Sequence, residues 1–71
     1  MRSKFYILHD IPGRLRVHIP ALRKNQDYVD IQTMFSSLKG IQDVRIQPII
    51  QTVIIQYKLD EISRNQMLRY M

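Results

Sequence analysis

The chain has 71 residues, 45% of them hydrophobic, no cysteine and a formal net charge of +5. A chain this short buries only about 60% of the surface its unfolded state exposes, so one domain over residues 1–71 with a thin core is expected, and a partner would help to close it. The missing cysteines exclude disulfides, thiolate metal sites and thiol nucleophiles.

The start, MRSKFYILHDIP, lacks the apolar run and small-residue cleavage site of a secretory signal. No apolar stretch approaches the roughly 20 residues that span a bilayer. The expectation is a cytoplasmic protein, peripheral at most to a membrane or organelle. All the excess charge lies early: Arg2, Lys4, Arg14, Arg16, Arg23 and Lys24 stand against Asp10 alone, and the rest of the chain balances. Such a patch favours an acidic protein, an anionic membrane surface or nucleic acid.

In chain order, Lys4 to His9 is an aromatic and β-branched run that reads as the first arm of a hairpin. Pro12-Gly13 is the pair a type II turn requires, since Pro sets the second φ and Gly accepts the positive third, so the turn is placed at residues 11 to 14. The second arm, Arg14 to Ile19, alternates strictly. Leu15, Val17 and Ile19 face a core, and Arg14, Arg16 and His18 face water. Setting residues 8 and 16 opposite one another sends Phe5, Ile7 and His9 inward. It also places Asp10 across from Arg14, where it gains a counter-charge.

Pro20 ends the second strand because it cannot donate to a ladder. Asp27 is a candidate N-cap, and Tyr28, Ile31, Met34, Phe35 and Leu38 recur at helical spacing, which predicts an amphipathic helix over 27–38 with Lys39 and Gly40 closing it. Ile41 to Gln47 alternates again, with Val44 and Ile46 on one side and Asp43, Arg45 and Gln47 on the other. After Pro48 and a connection at 49–51, Thr52 to Tyr57 forms the fourth strand, with Val53, Ile55 and Tyr57 inward and Ile54 outward. Asp60 is expected to cap a last helix over 61–70, starting from Ile62, in which Met67, Leu68, Tyr70 and Met71 crowd the end.

This ββαββα order predicts an α+β, ferredoxin-like sandwich: a four-stranded antiparallel sheet with two helices on one face. The expected strand order is first, second, fourth, third, a permuted arrangement in which the usual last strand leads the chain.

The residues IPGRLRVHIPAL, an amphipathic helix, and then LKGIQDVRIQPIIQTVIIQY resemble the cysteine-free branch of the heavy-metal-associated domains, over about Tyr6 to Tyr57. Such domains occur before or beside heavy-metal P-type ATPases, and the IPGRLR-type motif also occurs in small proteins encoded with an iron-transporting P-type ATPase in ferrosome operons. The resemblance implies a role in iron or heavy-metal homeostasis. Where other members carry a Cys-x-x-Cys metal loop, this chain has Pro20 to Asn25, PALRKN, with no thiolate and with Arg23 and Lys24 unfavourable to a cation.

His9 and His18 are the candidates for a metal or haem site, incomplete beside Arg14 and Arg16, so no cofactor is expected. Ser3, Ser36, Ser37 and Ser63 lack a base-and-orienter pattern, and no glycine-rich phosphate loop is present, which argues against an enzyme. An open four-stranded sheet also suits RNA, yet the central strands offer no aromatic platform and only Tyr6 stands at an edge. The reading that remains is an adaptor. Arg14, Arg16, His18, Arg23 and Lys24 form its docking surface for a protein such as a P-type ATPase or for an anionic membrane, and the open sheet edges allow a homodimer.

Overall fold

The computed structural model describes residues 4–71; Arg2 and Ser3 lie outside them. Four strands, β1 (Tyr6–Ile11), β2 (Arg14–His18), β3 (Ile41–Gln47) and β4 (Thr52–Tyr57), form one antiparallel sheet in the order β1-β2-β4-β3. Helix α1 (Asn25–Ser36) joins β2 to β3, and α2 (Arg64–Leu68) follows β4.

Alternation in the two central strands builds the core. Leu15, Val17, Val53 and Ile55 are fully buried and pack with Ile31 and Phe35 of α1 and Met67 of α2, while Ile19 and Leu22 close the crossover into α1. Burying an aliphatic side chain of this kind contributes about 1.5–3 kcal/mol relative to leaving it in water. With so few core positions, each is a large share of the total. The expected helical stripe holds: Ile31 and Phe35 are buried, and Tyr28, Met34 and Leu38 pack partly against them.

The Pro12-Gly13 turn falls as expected, with Gly13 at φ +83 and Ile11 paired to Arg14. β1 differs from expectation. It begins at Tyr6 and runs on to Ile11, and its register shifts between Ile7 and His9. Ile7 pairs with Val17 on the core side, but Leu8 is the extra residue of a bulge, so His9 turns outward opposite Arg16 and Asp10 lies opposite Leu15. Asp10 therefore does not face Arg14. Its carboxylate accepts from Arg64 Nη1 at 2.7 Å, on the helix side of the sheet.

Both helix starts also differ. Lys24, not Asp27, occupies the N-cap of α1, and Asp27 sits three residues in, where its carboxylate accepts the backbone N–H groups of Lys24 at 3.0 Å and Arg23 at 3.2 Å. The helix ends at Ser36, so Lys39 lies beyond its last turn. α2 starts after Ser63, not at Asp60. Ser63 Oγ accepts from Gln66 N, and Gln66 Oε1 accepts from Ser63 N at 2.9 Å, a complete capping box. Ile62 and Met67, the positions flanking that box, are both buried, and Leu68 and Met71 also turn to the core, leaving Tyr70 exposed.

Candidate functional site

The face of the sheet away from the helices is laid out in three rows by the strand registers. Tyr6, His18, Thr52 and Gln47 form the row at one end; His9, Arg16, Ile54 and Arg45 form the middle row; Ile11, Arg14, Gln56 and Asp43 form the third. Directly opposed side chains in such rows have Cβ atoms about 4.5–5.5 Å apart. The middle row thus holds two guanidiniums and an imidazole around one isoleucine.

The charges on this face are not equally engaged. Arg45 Nε lies 3.4 Å from Asp43 Oδ2, with side chains 77% and 46% exposed, so water screens the pair and holds it loosely. Arg16 is half-buried, and its Nε is shut off from solvent without a hydrogen-bond partner among the described residues. The bulge matters here. By turning Asp10 to the other side it removes the one carboxylate that β1 could have presented to Arg14 and Arg16.

His18 has a structural task. Its Nδ1 lies 3.0 Å from the carbonyl oxygen of Ile50 and 3.1 Å from that of Gln51, so Nδ1 carries the hydrogen and donates, and Tyr6 stacks on the ring at 6.1 Å. His9 stands on the same face but one row further along, opposite Arg16. The two imidazoles are thus brought to one side, separated by a row and beside a guanidinium. Among the described residues no group of three or more His, Asp or Glu side chains converges as a metal site would require.

Arg23 and Lys24 are exposed, but they follow the buried Leu22 in the connection that enters the helix layer. They stand apart from the rows that hold Arg14, Arg16 and His18. Two features escaped the sequence reading. Arg45 shares the middle row with Arg16, a position its alternation in β3 already implied. The other is the β3–β4 turn, where Ile49 is 97% exposed and Ile50 47%. Its signal was an apolar pair within a connection.

A four-stranded antiparallel sheet with β1-β2-β4-β3 order, covered on one face by two helices, is a ferredoxin-like α+β sandwich. The crystal structure of oxidized MerP from Ralstonia metallidurans CH34 has this fold: it superposes with a TM-score of 0.73 at 9% sequence identity, covering 79% of this chain and 78% of that one. The sequence matches the family described as heavy metal associated domain 2 over residues 1–70, and the chain belongs to that family. A search of the curated proteins gave no match. Family membership places the chain among small domains associated with heavy-metal handling.

The residues here do not fit a soft-metal site. The connection Pro20 to Asn25 supplies no thiolate, imidazole or carboxylate. Its Pro20 and Leu22 carbonyls already accept from Gln51 Nε2 at 3.1 and 2.9 Å, and Arg23 and Lys24 follow at once.

Proposed function

We propose that this domain is a non-catalytic adaptor in iron or heavy-metal handling that docks an acidic surface of a protein partner, such as a heavy-metal P-type ATPase, from the cytoplasmic side. Residues 1–71 act as one module, and the outer sheet face around Arg14, Arg16 and His18, joined by His9 and Arg45, is the contact.

The observation that carries this reading is Arg16. Its guanidinium has no carboxylate beside it among the described residues, and a partner carboxylate would take up its terminal nitrogens in a bidentate pair. The middle row supports it, because Ile54 offers an apolar anchor between two cations. His18 holds the turn that ends the face, so its contribution is to shape the surface.

The experiment measures binding of the purified protein to the soluble segments of a heavy-metal P-type ATPase from the same organism. Arg14→Glu with Arg16→Glu should weaken binding at least about tenfold, the scale expected for breaking a desolvated charge pair, with the circular dichroism spectrum retained. Unchanged affinity in the folded double variant would overturn the reading.

A further inference from the structure

The end of the sheet that carries the β3–β4 turn has a composition unlike the rest of the surface. Pro48 to Gln51 projects beyond the last row, with Ile49 97% exposed and Ile50 47% exposed. Apolar side chains scattered singly need no explanation, but two adjacent isoleucines at the tip of a turn expose aliphatic surface at the most protruding point of a strand pair.

This tip is held in place. Gln51 adopts φ +53, a left-handed conformation that a residue with a side chain takes up only when its surroundings enforce it. Its Nε2 donates to the carbonyls of Pro20 and Leu22, its carbonyl accepts from Ile19 N at 2.9 Å, and His18 Nδ1 and Thr52 Oγ1 both donate to the Ile50 carbonyl. These bonds bind the tip to the connection that bears Arg23 and Lys24. The isoleucines and the two cations are therefore presented together.

The strand register adds two more residues to the same end. Tyr6 opens β1 in the row beside the tip and is 55% exposed, and the exposed Lys4 precedes it. The acidic group nearby, Asp27, is engaged by the backbone N–H groups of Arg23 and Lys24. At the opposite end of the sheet, Asp43, Asp60 and Glu61 are exposed.

We propose that this end, with Ile49 and Ile50 as the inserting tip and Lys4, Arg23 and Lys24 as its cationic rim, docks the protein on an anionic lipid surface. A convex aliphatic tip needs no matching pocket in a bilayer, and the rim meets headgroup charge while Tyr6 takes the interfacial position that amphipathic rings prefer. Among the described residues no helix is long and apolar enough to cross a membrane, so attachment by this end would be peripheral. Apart from Tyr6, which stacks on His18 at the end of the outer face, it uses residues other than the Arg14 and Arg16 face and does not depend on that reading.

The test is co-sedimentation with phosphatidylcholine vesicles made with and without phosphatidylglycerol. Binding is expected only to the anionic vesicles and should weaken as salt is raised. Ile49→Ser with Ile50→Ser should lower partitioning about tenfold or more, and Arg23→Gln with Lys24→Gln should lower it about fivefold for each charge removed. Because the chain has no tryptophan, Ile49→Trp gives a single reporter. Its emission should shift to the blue with anionic vesicles and stay unchanged with neutral ones. No binding to either vesicle, or binding indifferent to the serine changes in a folded variant, overturns the proposal. So does an effect of those changes on binding to the ATPase segments with lipid binding absent, which would make the tip a protein contact. Absence of vesicle binding by the unchanged protein, with its ATPase binding intact, refutes only the lipid site.

Discussion

At one end of the sheet the chain is closed by its two glycines, and at the other by side chains. Gly13 turns β1 into β2 at φ +83, close enough to Tyr57 that its carbonyl accepts the Tyr57 N–H at 2.9 Å. Gly40 at φ +95 starts β3, accepts the Lys58 N–H at 2.8 Å and lies against Glu61 and Ile62. At the far end no glycine is present. Gln51 takes the positive φ instead, and its amide, with the imidazole of His18, ties the turn to the β2–α1 connection. The glycine end is closed by backbone hydrogen bonds and by close packing against the two glycines. The other end is braced through replaceable side chains, and there the surface carries the exposed isoleucines and the exposed Arg23 and Lys24. The exposed isoleucine tip thus lies at the braced end, while Arg14 and Arg16 lead from the glycine end to the middle of the sheet.

The largest effect should come from filling the glycine end. A Cβ on Gly40 would lie 2.8 Å from Glu61 Cβ and 2.9 Å from Ile62 Cγ2, in a backbone conformation that side chains also disfavour. Gly40→Ala should therefore destabilise by about 2–4 kcal/mol, the sum of left-handed strain and overpacking, read from urea unfolding. A loss below about 1 kcal/mol would mean that the segment before α2 yields easily, because overpacking in a rigid site costs more, and would erase the contrast between the ends.

The braced end should respond differently to glycine. Gln51→Ala keeps the positive φ and loses two hydrogen bonds, costing about 1–3 kcal/mol. Gln51→Gly loses the same bonds but relieves the backbone, so it should be about 1 kcal/mol less damaging than alanine. Comparing the two unfolding midpoints separates bracing from strain. Equal losses would show that the left-handed turn stores nothing.

The same division governs what could be read in the sequence. Pro12-Gly13, the alternation of Leu15, Val17 and Ile19, and the helical spacing of Ile31 and Phe35 carry their geometry in residue type, and they lead directly to the turn, the core face and the strand order. The bulge at Leu8 does not. Tyr6-Ile7-Leu8 is apolar at every position on an edge strand exposed throughout, so neither register buries more than the other and the pattern is silent. α2 was legible but misread: the capping signal was Ser63-x-x-Gln66, while Asp60 drew attention by charge alone. For the candidate sites, parity along each strand placed Arg14, Arg16 and His18 on one face. No local pattern could show that Arg23 and Lys24 leave that face with the crossover, or that Gln51 brings them to the tip of the second hairpin.

The smallest expected effect is confined to the braced end and depends on pH. Hydrogen bonds from the backbone N–H groups, Lys24 first and then Arg23, hold the Asp27 carboxyl below its ordinary value of 3.8, against a minor opposing effect of desolvation and with help from the Lys24 charge. A carboxylate whose folded pKa is depressed adds stability that is complete above its unfolded value and is lost as pH falls through the folded one. Near neutral pH the contribution is fully present; it fades only below about pH 4. The amide proton shifts of Arg23 and Lys24 should titrate together in nuclear magnetic resonance spectra with a midpoint under 3.8. Asp27→Asn should remove that titration and leave the Gly13 and Gly40 amides unmoved. A midpoint at or above the ordinary carboxylate value would mean that these bonds do not form in solution, and that the connection bearing the two cations is held by Gln51 and the buried Leu22 without them.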